Sequence, residues 1–160
     1  MIVDDRWLEI TKAVVSYLAG NSDVAARSFV RIELDKSLVK HPRYPAQPLV
    51  ECPFVVVRAE GCVQKDLVSF GAVWEQTIGV WIYRSKPLSG EPQEAIMQDL
   101  KVVSGSLKAT RNPATICAAG AENLEISGKL LHDELHHPYD DPRLRVLCGE
   151  IALKITARKT

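Results

Sequence analysis

Six consecutive residues, His132-Asp133-Glu134-Leu135-His136-His137, form the densest run of potential metal ligands and proton carriers in the chain. On a helix, His132 and His136 would face the same way, as paired zinc ligands of a metalloprotease do. The pattern departs from that chemistry at its second position. The glutamate that activates a metal-bound water follows the first histidine directly, and here Asp133 stands there, one methylene shorter. Pro138 and the alternating context favour a strand, on which the two histidines would stand about 13 Å apart at roughly 3.3 Å per residue, too far to share one ion. A solvated strand end is therefore the main reading. A small metal-dependent hydrolase using His132, His136 and Asp133 or Asp140 is the alternative. Tyr139, Asp140 and Asp141 lie between Pro138 and Pro142, where acids form turns but can also meet a cation or a partner.

Nothing else in the chain offers covalent chemistry. Gly120 and Gly128 stand alone, without a phosphate-cradling loop, and no Ser or Cys nucleophile motif is present. Cys52, Cys62, Cys117 and Cys148 are widely spaced in or beside apolar stretches and read as buried free thiols. The basic group Lys36, Lys40, His41 and Arg43, next to Tyr44, reads as a solvated loop before a phosphate-binding surface. Twenty basic and twenty acidic residues cancel in 160, so the chain lacks the positive field with which proteins displace counterions from duplexes, and strong nucleic-acid binding is not expected. Near-zero net charge suits a protein that assembles. The first residues carry Asp4 and Asp5 where a secretory signal carries bases, and no apolar run reaches bilayer length, so a cytosolic location without membrane contact is expected.

The elements that would position such residues centre on Val73 to Arg84, whose β-branched and aromatic side chains favour a strand. Its even positions place Trp74, Ile78, Val80 and Ile82 on one face, and its odd positions place Val73, Thr77, Gly79, Trp81 and Tyr83 on the other. Trp7, Ile10, Val14, Tyr17 and Leu18 recur at helical spacing, with Asp4 or Asp5 available as a cap and Gly20-Asn21 as a stop. Residues 22 to 38 fit neither period, with a strand expected near Phe29 to Leu34. Pro42, Pro45, Pro48 and Pro53 make about 39–53 an extended arm. Phe54 to Arg58 reads as a short inner strand, and residues 60 to 70 as an extended hairpin into the spine strand. Ile96, Leu100, Val103 and Leu107 mark a second helix after Pro92, in which Gly105 points to close packing or an early end. Leu124 to Leu135, with Gly128 as a bulge, and a strand with Leu147, Gly149, Ile151, Leu153 and Ile155 on its packed side complete the chain. The other side of that last strand is expected to be wet.

Residues 1–160 thus read as one α+β domain, a mostly antiparallel, mixed sheet with two main helices on one face. If both helices cover the even face, the odd face carrying Trp81 and Tyr83 is left bare for another subunit, burial within the same chain being the competing reading. On the first reading, Trp81→Glu would weaken oligomerisation without unfolding the monomer.

The order helix, proline-rich arm, strand, long strand, helix and carboxyl-terminal hairpin resembles the tail terminator (tail completion, minor tail) proteins of long-tailed phages, lambda type. The carrying residues are Pro53-Phe54-Val55-Val56-Val57, then Trp74-Glu75-Gln76-Thr77-Ile78-Gly79-Val80-Trp81-Ile82. Lys86-Pro87, the helix with Ile96 and Leu100, and the closing strand Gly149-Glu150-Ile151-Ala152-Leu153-Lys154-Ile155-Thr156 follow. The resemblance excludes about residues 22 to 50. It implies a non-enzymatic structural protein without a cofactor, forming a hexameric ring that caps the tail tube and joins it to the head connector. Its partners would be copies of itself, the tail-tube protein and the head-completion protein, first in the host cytoplasm and then in the virion tail. Trp81, Tyr83, Tyr139, Asp140 and Asp141 are then candidate contacts. A non-phage, sheet-based binding module of the same topology is a further alternative.

Overall fold

The structure is a computed structural model that describes residues 6–34, 53–68, 71–85, 92–109, 116, 119–135 and 146–159; within these, the side chains at 66–68, 71–72, 85, 92–93, 109, 132–135, 146–147 and 158–159 are outside the description. In chain order the elements are α1 (Trp7–Ala19), α2 (Ser22–Ala25), β1 (Ile32–Leu34), β2 (Phe54–Val68), β3 (Gly71–Ser85), α3 (Pro92–Ala109), β4 (Ala121–Leu135) and β5 (Val146–Lys159). The sheet runs β1-β2-β3-β5-β4. Only β1 is parallel to its neighbour, so the sheet is mixed and mostly antiparallel, as expected.

The alternation in the spine strand decides what each face buries. Ile78, Val80 and Ile82 of β3 join Val55 and Val57 of β2 and Ile151, Leu153 and Ile155 of β5 in one aliphatic core. Ile10, Val14 and Leu18 of α1 and Ile96, Leu100, Val103 and Leu107 of α3 close over it from one side. Removing such side chains from water is the main stabilising term, at roughly 1.5–3 kcal/mol for each large aliphatic fully buried. Gly149 lets α3 come close: a Cβ there would meet Leu100 Cδ2 at 2.9 Å. The Tyr17 hydroxyl donates to the Ser106 carbonyl at 2.6 Å, tying α1 to α3.

Several local expectations are corrected. The residue preceding α1 is Arg6, in the left-handed region with φ 56° and no side-chain cap bond; Asp4 and Asp5 lie outside the described residues. Asn21 does not merely end α1. Its side chain accepts from the Asp23 and Val24 amides and so starts α2, a helix the mixed periodicity of that region hides. The strand expected near Phe29 to Leu34 is β1, beside Val55 to Val57. β2 is far longer than Phe54 to Arg58: it continues to Val68 and pairs along β3 as an antiparallel hairpin with two register irregularities. Gly128 does sit at a register shift against β5. Gly105 marks neither close packing nor an early stop, since α3 runs on to Ala109 and a Cβ at 105 would have nothing within 4 Å. Most of the proline-rich arm lies outside the described residues.

One buried charge orients α3. Asp99 is 0% exposed and accepts Arg27 Nε at 2.7 Å and Arg84 Nη2 at 3.0 Å, with Arg84 Nε also donating to it. Arg27 Nη2 also donates to the Ala95 carbonyl at 3.4 Å. A carboxylate taken out of water is costly until donors replace the lost hydration. Here the donors come from the segment after α2 and from the end of β3, so the helix is held where both arginines reach it.

Asp99→Ala strands two arginines that are largely covered, and urea unfolding should show a loss of about 3 kcal/mol, more than Arg27→Ala loses. Gly105→Ala should raise stability by about 1 kcal/mol in the same assay, since the helix gains propensity and nothing clashes.

Candidate functional site on the second face of the sheet

The face of the sheet turned away from the helices is built in register rows. Phe54, Tyr83 and Cys148 align across β2, β3 and β5, and Val56, Trp81 and Glu150 form the next row. Phe54, Val56, Trp81, Tyr83 and Cys148 make a second buried cluster, separate from the main core. The rings of Phe54 and Tyr83 stack with centroids 4.8 Å apart and planes inclined by 19°. Guanidinium groups lie on the aromatics: Arg31 stands 4.8 Å from the Phe54 centroid and Arg58 stands 5.3 Å from the Trp81 ring. Such contacts add roughly 0.5–2 kcal/mol each while covering apolar surface with a charged plane.

This is not the bare face expected from the alternation of β3. Trp81 is 6% exposed and Tyr83 is 2% exposed within the single chain. Trp81→Glu would set a carboxylate among buried aromatics and beside two existing acids, so it is a folding variant before it is an assembly variant. The outer side of β5 is likewise not uniformly wet, because Cys148 and Glu150 are buried while Ala152, Lys154 and Thr156 are half-buried.

Next to Trp81 the sheet gathers acids. Glu60 falls at the irregularity between Ala59 and Gly61, where it has no register partner in β3, and its Oε1 accepts the Trp81 indole Nε1–H at 3.1 Å. Gly79 makes room for this bond, since a Cβ there would sit 2.3 Å from Glu60 Oε1 and 2.7 Å from Trp81 Nε1. The expectation that Gly79 admits another backbone is thereby corrected: what crosses it is a carboxylate and an indole. Glu150 is 8% exposed. Burial first, and then the charge and hydrogen bond of Glu60, push its carboxyl up to about 7, against a smaller opposing pull from Arg58. Burial also pushes the Cys148 thiol well above its ordinary range, so it stays protonated and is no nucleophile at neutral pH. Cys62 is a second free thiol, half-buried; Cys52 and Cys117 lie outside the described residues.

The remaining candidates distribute differently. His132 and Asp133 lie on β4, whose strand conformation continues to Leu135, so the helical i, i+4 ligand geometry does not form over that part. His136, His137, Tyr139, Asp140 and Asp141 lie outside the described residues, as do Lys36, Lys40, His41, Arg43 and Tyr44. Among the described residues, no three His, Cys, Asp or Glu side chains gather as a metal site. Among those same residues, no helix is long and apolar enough to cross a membrane. Glu60, Glu150, Arg58 and Arg31 were not singled out from the sequence. Glu150 follows the alternation of β5, but only the β3–β5 register sets it beside Trp81.

Gly79→Ala should force Glu60 off the indole and cost about 1–3 kcal/mol in denaturant unfolding. Combining it with Glu60→Ala, which empties the space, should restore part of that loss.

No family model matches the chain, and no curated protein matches it in sequence. Among solved structures, a chain of the particle described as "Virion of native gene transfer agent (GTA) particle" matches with a TM-score of 0.51. The match covers 93% of this chain and 94% of that chain at 11% sequence identity. The likeness is one of fold, and it spans nearly the whole of both chains.

Proposed function

We propose that the protein is a structural component of a phage or phage-like particle, and more narrowly a tail-terminator-like subunit that forms a ring on the tail tube. The observation that carries the reading is the nearly end-to-end likeness of fold to a chain of a gene transfer agent virion. The element order that resembles the lambda-type terminators supports the narrower assignment. Such a protein acts by geometry: one surface repeats around a rotation axis until the ring closes, and the closed ring offers different faces to its neighbours.

The described strands supply surfaces suited to that role. β4 is an edge strand of fifteen residues, with Leu130 and Leu131 54% and 40% exposed. On the opposite side, β1 covers β2 only over Val55 to Val57, leaving Arg58 onward without a second strand among the described residues. Unpaired strand edges with apolar side chains are templates for association. In this reading the partners are copies of the chain, a tail-tube protein and a head-completion protein. The protein reaches the virion from the host cytoplasm, and the mechanism needs neither a catalytic group nor a cofactor.

Negative-stain microscopy and sedimentation of the purified chain test it. Rings of six-fold symmetry are expected, and a Leu130→Glu/Leu131→Glu variant should fold but sediment as a smaller species. A chain that is monomeric at every concentration and fails to bind tail-tube protein would remove the reading.

A further inference from the structure

The helical layer is narrower than the sheet beneath it. α1 packs over β1 and β2, and α3 packs over β3 and β5, touching the edge strand β4 least. A groove of about 510 Å³ is left between the last turns of α3 and β4. Leu107 and Leu124 wall it, Ile126 lies half-buried in it, and Lys108 and Lys129 stand exposed at its rim. Glu125 borders it too, but as the register partner of Lys154 it belongs to the opposite face of the sheet. Among the described residues, Lys108 and Lys129 take part in no ion pair.

The chain enters α1 beside the near end of that groove. Arg6 lies against Gly120, where a Cβ would meet the Arg6 Cδ at 2.7 Å, and Gly120 directly precedes β4. With φ 56°, Arg6 turns the backbone off the helix axis, and no side-chain cap bond holds it there. The residues before it are Met1-Ile2-Val3-Asp4-Asp5, three apolar side chains followed by two acids. Fully extended, a stretch of that length reaches roughly 17 Å. Leu124 stands about 13 Å along the strand from Gly120, at roughly 3.3 Å per residue. The reach therefore suffices, and the order of residues fits: the acids fall near the end of α3 that carries Lys108, and the apolar residues fall further along, at Leu124 and Ile126.

We propose that residues 1–5 form a strap across this groove, with Asp4 or Asp5 on Lys108 and with Ile2 and Val3 against Leu124 and Ile126. Removing Ile2, Val3 and Ile126 from water together drives the contact, and the charge pair at Lys108 fixes the direction in which the segment runs. The strap completes the helical side of the sheet over β4, where neither helix provides the cover. It is a property of the single chain. Its one consequence for assembly, that release of the strap would open the groove to a neighbour beside the β4 edge, rests on the proposed function.

The test is methyl NMR of the full chain with 13C-labelled Ile, Leu and Val methyls, the Ile2 and Val3 signals being identified by their loss in Ile2→Ala and Val3→Ala. Nuclear Overhauser contacts are expected from both residues to Leu124 and Ile126. An Ile2→Asp/Val3→Asp variant, altered outside the packed core, should keep its circular dichroism, lose those contacts and shift the Ile126 methyl resonance. Lys108→Glu, at an exposed position, should weaken the contacts several-fold, and added salt should weaken them in the wild type. No contacts to the groove, an Ile126 resonance that does not move in Ile2→Asp/Val3→Asp, or contacts indifferent to Lys108→Glu would overturn the strap. In a mixture of labelled and unlabelled chains, contacts found only between different chains would overturn it as well, the groove then holding the segment of a second copy. A monomeric chain with the contacts intact would overturn the ring alone, and rings without the contacts would overturn the strap alone.

Discussion

The structure depends on one constraint: from Ile78 to Tyr83, β3 lies between two antiparallel neighbours and is buried on both faces. A strand alternates with a period of two, so its neighbouring side chains must satisfy two different environments. Ile78, Val80 and Ile82 meet the helices, and Trp81 and Tyr83 meet a separate cluster. The first environment is filled by aliphatic volume alone. The second holds an indole N–H, a phenol, a thiol and a carboxyl, and each polar atom taken from water needs a partner. The bond from Trp81 to Glu60, the space left by Gly79 and the guanidinium on the indole answer that requirement.

The helical side meets the same problem at a single point. Asp99 faces inward from α3 where an aliphatic residue would ordinarily be expected, and two guanidiniums replace its hydration. A buried ion pair is a weak source of net stability, because desolvation offsets much of the attraction. Its geometric effect is definite nonetheless. Arg27 and Arg84 arrive from separate parts of the chain, and α3 can satisfy both in one placement over the end of β3.

The chemistry of the second face bears on the kind of function the chain supports. Glu150 and Cys148, both raised by burial, lie beside packed aromatics with little exposure. The fold shared with a chain of the gene transfer agent virion is built from long regular strands.

The sequence by itself determined the elements whose side chains repeat with a clean period. The stripe from Ile10 to Leu18, the stripe from Ile96 to Leu107, the alternation of β3 and that of β5 each report their own buried face, because local periodicity and burial coincide there. It also indicated the hairpin pairing of β2 with β3 and the bulge at Gly128. It did not reveal α2, where a four-residue helix rests on the Asn21 cap, or the full extent of β2, whose polar outer half alternates little. Only the tertiary structure decided that Trp81 and Tyr83 on the odd face of β3 are covered within the chain, that Gly79 is spanned by Glu60, and that Asp99 meets Arg27 and Arg84. Those facts are pairings between residues distant in sequence. Strand register and helix placement create them, and no local pattern of residue types encodes which carboxylate will face which indole or guanidinium.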